Sequence, residues 1–321
     1  MRRRNFIALV GAIAIRPLAA LAQQATRKPL RIGIIDDSPA WDAFREELRN
    51  LNYIEGQNIA FEYREADGVP ARLNAAAAAL AKVPVDLIAV FGTPAALAAK
   101  RATALIPIVA ISIGDPVKAG LVSNIARPGG NITGNTIFGP DVATKRLQIL
   151  KDAIPSVRRI AFLWNPDNAS NVAILEQLRP AASLFHMTLV SLPARTVGDF
   201  DQVFAQLASD RPDAVLTTND PLHEAHMATV IEFLLQHRIA GMFQIRQNVV
   251  DGGLMAYGAS FSGLFKQGAR YVDKILRGTR PDELPFQQPT KFDLTINLRT
   301  AKALSLTLSP DFIALADEVI E

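Results

Sequence analysis

Residues 86–103, DLIAVFGTPAALAAKRAT, decide the fold. Leu87-Ile88-Ala89-Val90-Phe91 is an unbroken apolar run of strand length, which suits a parallel strand buried on both faces. Gly92 lets the backbone approach closely, Thr93 stands where an N-cap belongs, and Pro94 fits the first turn of a helix over Pro94–Thr103. A strand feeding directly into a helix is half of a βαβ unit.

The same alternation extends outward. Before it lie a strand at Arg31–Ile35, a helix with apolar face Phe44, Leu48 and Leu51, a strand at Asn58–Arg64 and an Ala-rich helix at Pro70–Lys82. After it comes a strand at Pro107–Ile111. This β-α-β-α order predicts a right-handed doubly wound sheet. The turn-rich Arg127-Pro128-Gly129-Gly130-Asn131 then breaks the pattern and leads towards a hinge. A second set follows, with strands at Arg159–Trp164, Thr188–Leu192 and Ala214–Thr218. Its helices lie around Val142–Ala153, Val172–Phe185, Gly198–Ala208 and Leu222–Gln236. Beyond Asp251-Gly252-Gly253 come a strand at Leu254–Ala259, a helix at Leu264–Arg277 and a strand at Lys291–Asn297, as in a chain that crosses back. The expected architecture is α/β, with two doubly wound parallel-sheet lobes. Residues 30–136 plus 249–286 form lobe 1, and residues 137–248 plus 287–321 form lobe 2.

The N-terminus reads as an export signal. Arg2-Arg3-Arg4 is a basic start, Phe6–Ile15 an apolar run and Ala20-Leu21-Ala22 a small-x-small cleavage pattern, which places cleavage before Gln23. The Arg pair leaves Sec and Tat export both open. The chain has 34 basic and 31 acidic residues. Loss of residues 1–22 with their four arginines leaves 30 basic residues, a near-neutral body without the charge excess that nucleic acid demands. There is no cysteine, so disulfides, thiol nucleophiles and thiolate metal sites are excluded. No second segment is long and apolar enough to span a bilayer.

Ligands of open α/β sheets bind beyond the carboxyl ends of the strands, so the informative residues follow each strand. Ser38 and Trp41 follow the first. Ser38 fits a helix cap with Pro39 in the first turn, and Trp41 either stacks on a ligand ring or packs in its own lobe. Gly92, Thr93, Pro94 and Ala95 present a helix N-terminus able to attract a carboxylate, with Thr93 also free to act as a cap. Ser112 and Gly114 follow the next strand. In the second lobe Asn165 follows one strand, and Asn219 and Asp220 another. Asp220 fits either a ligand ammonium or a helix cap.

Catalytic motifs are missing. His223 and His226 stand three apart without a third ligand at recognised spacing, which favours a helix face over a metal site. The chain has neither a G-x-G-x-x-G or Walker fingerprint nor a G-x-S-x-G elbow. No enzyme, cofactor or metal is expected.

Several segments together carry a family resemblance. They are Tyr53-Ile54-Glu55-Gly56-Gln57-Asn58, Gly92-Thr93-Pro94-Ala95-Ala96, Gly114-Asp115-Pro116-Val117 and Ala126-Arg127-Pro128-Gly129-Gly130-Asn131-Ile132-Thr133-Gly134. Further on stand Gly252-Gly253-Leu254-Met255, Tyr271-Val272-Asp273-Lys274-Ile275-Leu276 and Asn297-Leu298-Arg299-Thr300-Ala301-Lys302-Ala303-Leu304. The chain resembles, over nearly its whole length, the ABC transporter substrate-binding protein family of the tryptophan/tyrosine-receptor type, with a type I periplasmic-binding-protein-like fold. The resemblance implies a three-crossing hinge, a small-molecule ligand such as an amino acid or aromatic acid in the interlobe cleft, and delivery to an ABC permease. It implies that Thr93 and the Ser112–Gly114 turn hold the ligand carboxylate. Asn165, Asn219, Asp220, Gln244 and Arg246 would read the rest. Ala256 departs from the serine expected after Met255, which bears on ligand identity. A receptor that signals to a membrane sensor and a secreted two-lobe enzyme are the competing classes.

Overall fold

The structure, a computed structural model, describes residues 28–36, 38–137 and 142–321. The expected export signal lies outside the described residues. Among them no helix is long and apolar enough to cross a membrane.

Two sheets organise the chain. The first has the order β2-β1-β3-β4-β5, all parallel, from β1 (Leu30–Ile35), β2 (Ile59–Arg64), β3 (Leu87–Phe91), β4 (Ile108–Ile113) and β5 (Ile132–Thr136). Helices α1 (Trp41–Asn50), α2 (Pro70–Leu80) and α3 (Thr93–Ala102) connect its strands. Side chains alternate across it. Ile32, Ile34, Leu87, Ala89, Val109 and Ile111 build a core on one face, and Ile35, Ile88, Val90, Ile108 and Ala110 build another on the opposite face. Burial on both faces is what makes these strands read as continuous apolar runs.

The second sheet has the order β12-β11-β10-β9-β8-β6-β7. Its strands are β6 (Arg159–Trp164), β7 (Thr188–Pro193), β8 (Ala214–Thr217), β9 (Ala240–Phe243), β10 (Met255–Ala259), β11 (Phe292–Asn297) and β12 (Glu318–Ile320). It is parallel except for the β10–β11 pair, which is antiparallel. Its helices are α4 (Val142–Ala153), α5 (Ala169–Leu184), α6 (Asp199–Asp210), α7 (Pro221–Glu224), α8 (Met227–Gln236) and α9 (Arg246–Val250). Helix α10 (Phe261–Leu276) returns to the first lobe, and α11 (Leu298–Ala303) and α12 (Pro310–Ile313) close the second.

Four expectations need correction. The single helix over 222–236 is two: Asp220 caps α7, and His226, at φ −116°, interrupts the chain before α8. Strands β5, β9 and β12 are additional to the expected set. Residues 249–259, expected in lobe 1, instead belong with the second sheet, because Met255 and Ala256 pair with Met242 and Phe243 while β10 pairs along β11. Gln287, expected in lobe 2, joins the first lobe: its N–H donates to Gly134 O and its carbonyl accepts from Thr136 N. Ile137 therefore lies with the first lobe and Val142 begins the second, and the chain crosses again at Ser260 and between Gln287 and Phe292.

Helix α10 anchors the return crossing. Leu264, Phe265, Ala269, Val272 and Ile275 form its buried stripe at helical spacing. Gly268 brings it close to the sheet, since a Cβ there would lie 2.5 Å from Ile111 Cδ1. Trp41 packs beneath it, fully buried, with its ring edge-on to Phe44 and Phe265 at 5.1 Å each. Its Nε1–H donates to Asp36 O at 2.8 Å. Of the two roles open to Trp41, the structure gives it the core one, and ligand stacking is set aside. Trp41→Ala is expected to destabilise the first lobe by about 3–5 kcal/mol, read as a lower urea midpoint for the first-lobe transition by far-UV circular dichroism.

Candidate functional site

The carboxyl ends of the two sheets face each other, and the residues that follow β3, β4, β6 and β8 meet there. Gly92, at φ +80°, is the N-cap of α3, so Thr93 is the first helical residue and not the cap. The Thr93 hydroxyl consequently points outward. It accepts from Gly114 N at 3.2 Å and lies 2.8 Å from Ser170 Oγ of the opposite lobe. Pro94 is partly buried, and the Ala95 side chain is in the first-lobe core. Ser112 sits at φ +59° within a register shift of β4. A left-handed serine costs on the order of 1 kcal/mol or more. Its N–H donates to Asn135 Oδ1 at 2.8 Å, and its Oγ accepts from Asn219 Nδ2 at 3.1 Å across the cleft.

Backbone approaches are equally close. A Cβ on Gly114 would lie 2.1 Å from Ser170 Oγ, and one on Gly68 2.6 Å from Leu222 N. The Gly68 loop is held by Asp36, whose carboxylate accepts from the N–H groups of Ala66, Asp67 and Gly68. Asp36, Glu65 and Asp67 stand close enough to share a cation, but Asp36 already serves this loop.

The second-lobe side is a polar knot around Asp220. This fully buried carboxylate accepts from Leu222 N, His223 N, Asn165 Nδ2 and Asn168 Nδ2. Of its two expected roles the structure realises the cap, with both oxygens engaged. Asn165 is bound into the same knot, donating through its backbone to Asn171 Oδ1. Asn219 N donates to Gln244 Oε1 at 2.9 Å, while Asn219 Oδ1 and Gln244 Nε2 are buried without partners among the described residues.

Gln244 also lines a cavity of about 760 Å³ between the lobes. The first lobe contributes Ser38, Phe91, Ser260 and Phe261; the second contributes Glu224, Gln244 and Asn248. Phe91 and Phe261 meet edge-on at 5.4 Å. Ser38 faces this space but does not cap α1, whose N-cap is Ala40 without a side-chain bond. Arg246 lies at the rim with its guanidinium on Glu318. Burial pushes the Glu224 carboxyl up to about 8, against the single long bond from Asn248 Nδ2 at 3.4 Å. Beneath the knot Arg146 of α4 is fully buried, and its Nη2 donates to Thr217 O and Met242 O. His223 and His226 flank Phe200 at 5.5 and 5.6 Å, with His223 Nε2 at 2.9 Å from Ala194 O. Both pack on Phe200, with His223 fully buried and His226 half-buried, so only His226 keeps the partly solvated position expected of the pair.

Sequence reasoning missed Ser170, Phe91, Phe261, Glu224 and Arg146. Ser170 stands two residues past the N-cap Asn168, in the first turn of α5, and Glu224 four residues past Asp220, so spacing could have found both.

Two α/β lobes, three crossings and a lined cleft define a hinged binding protein. The family model for "ABC transporter substrate binding protein" matches residues 38–320, and the chain belongs to that family. It is thus a substrate-binding protein and not an enzyme. The chain is 25% identical over 295 residues to a tyrosine-binding protein of Clostridioides difficile, covering 90% of this chain and 85% of the relative. It superposes with a TM-score of 0.83, at 21% identity and over 91% of this chain and 100% of the other, on a Streptococcus pneumoniae domain in complex with L-Trp. Against the ligand-free, open structure of a Clostridium difficile substrate-binding protein the TM-score is 0.62, at 26% identity over 91% of this chain and 99% of that one. The lower score against the open form agrees with lobes that touch here.

Gly114→Val should leave each lobe folded but hold the lobes apart. The expected result is a larger radius of gyration by small-angle scattering with ligand present, and affinity lower by roughly tenfold or more.

Proposed function

We propose that the protein is the periplasmic solute receptor of an ABC importer and captures an aromatic amino acid in the interlobe cleft. The observation that carries this reading is the 760 Å³ cavity, with an aromatic wall on one lobe and unpartnered buried Gln244 Nε2 on the other. Its size is within the range of small-molecule sites, and such sites pair apolar walls with a few placed polar groups. The ligand names of the tyrosine-binding relative and the L-Trp complex point the same way.

In this reading the ring of the solute lies against Phe91 and Phe261. Its carboxylate takes the place of the interlobe bonds that Thr93 and Ser112 make to Ser170 and Asn219, next to the cavity lining and beside the N-terminus of α3, where a helix end stabilises an anion by about 0.3–2 kcal/mol. Asn219 and Gln244 complete the polar end, and Gln244 joins it to the cavity. Closure on the solute presents one shape to an inner-membrane permease, which is how a hinged receptor reports occupancy. Export by the signal at residues 1–22, cleaved before Gln23, would deliver it to the periplasm.

L-Tryptophan or L-tyrosine at 100 times its dissociation constant should stabilise the mature protein by about 2.7 kcal/mol, visible as a raised melting temperature. Thr93→Ala should lower affinity for L-tryptophan far more than for tryptamine, which lacks the carboxylate. Equal losses by calorimetry would reduce Thr93 to a lobe contact, and failure of every aromatic amino acid to bind would overturn the ligand assignment.

A further inference from the structure

We infer that Glu224, and not Asp220, receives the ammonium group of the solute, because it lines the interlobe cavity with bonding capacity left over. The inference rests on the cleft reading above and deepens it to a primary-amine ligand whose binding is coupled to pH.

The two carboxylates of the α7 turn differ in what they have left to offer. Asp220 is fully buried and its oxygens are consumed by two backbone N–H groups and two asparagine amides. Glu224 is part-exposed, and the space it lines is the interlobe cavity. Among the described residues it accepts one side-chain hydrogen bond, the weak donation from Asn248 Nδ2. The charged groups around it give it no counter-ion. Asp220 on its own turn and Asp251 after α9 both oppose its ionisation. Arg246 of α9 is bound to Glu318 of β12, and Lys291, before β11, to Asp293 and Asp317. Desolvation within the cavity wall, with Asp220 and Asp251 adding to it, raises its carboxyl above the ordinary carboxylate range, to about 8.

The proton balance follows. Below about pH 8 the ligand-free protein holds Glu224 neutral. An arriving ammonium stabilises the carboxylate, so the carboxyl proton leaves to solvent while the ligand stays protonated. Affinity for the amine must therefore rise with pH up to about 8.

The test is calorimetry of wild type and Glu224→Gln with L-tryptophan, tryptamine and indole-3-propionate, in two buffers of different ionisation enthalpy. For wild type we expect release of close to one proton at pH 7 with both amines and none with indole-3-propionate. L-Tryptophan affinity should rise by up to about tenfold per pH unit from pH 6 to 8. Glu224→Gln should lose at least about tenfold in affinity for the amines, keep indole-3-propionate binding, and show no proton release. Melting of the ligand-free protein supplies a second measurement: wild type should lose stability as pH rises towards 8, and the variant should lose that slope. Amine binding with flat pH dependence, or binding of indole-3-propionate as tight as L-tryptophan, would overturn the role of Glu224 and leave the cleft reading intact. Absence of binding by all three compounds would overturn both.

Discussion

The structure depends on buried polar groups at the ends of parallel strands that are satisfied from the other lobe. Ser112 and Thr93 on one side meet Asn219 and Ser170 on the other. An unpaired buried hydroxyl or amide costs roughly 1–3 kcal/mol, so each lobe alone must keep these groups in water. The bonds that close the cleft therefore replace bonds to water and contribute little net energy. That is the balance a reversible hinge requires. Glycine makes the approach possible: at Gly114 and Gly68 a side chain would occupy the space of the opposing lobe.

The second lobe divides its polar groups into two kinds. The Asp220 knot, with Asn165, Asn168 and Asn171, is internally satisfied, and low local dielectric strengthens such a network. Its work is to fix the loops after β6 and β8. Gln244 and Glu224 hang from that frame with capacity unspent, one a donor and one an acid. A rigid frame carrying unsatisfied groups is preorganised for a ligand, since little ordering remains to be done on binding.

How much of this the sequence carries depends on the physical range of each signal. Continuous apolar runs such as 87–91 reveal buried parallel strands, and both lobes follow from them. The rule that sites lie after strands led to Thr93, Ser112 and Asn219, the family resemblance added Gln244, and the structure brings these four together. Local patterns could not reveal that β10 pairs with β9 and β11, because sheet membership is a long-range choice while the 254–259 pattern fits either lobe. Nor could they decide Trp41, whose burial depends on α10, some 220 residues later in the chain. Asp220 and Glu224 look alike as sequence. Only the count of donors around each separates a structural acid from an available one.

Arg146 shows how the frame and the site are joined. Its guanidinium is buried, and among the described residues no acid pairs with it; its Nη2 is shared by the carbonyls of Thr217 and Met242. Burial lowers its pKa to about 9, which still leaves the charge in place at neutral pH. Those two carbonyls end β8 and lie within β9, just before Asn219 and Gln244. One cation thus fixes the spacing of the two strands that aim both side chains at the first lobe. A buried charge bonded only to carbonyls is an expensive way to hold two strands, and an apolar residue would pack more cheaply. Its position at the start of α4, directly after the first crossing, supplies the reason. Helix α4, which follows the first crossing, and the ends of β8 and β9 are thus tied within the second lobe by the same side chain.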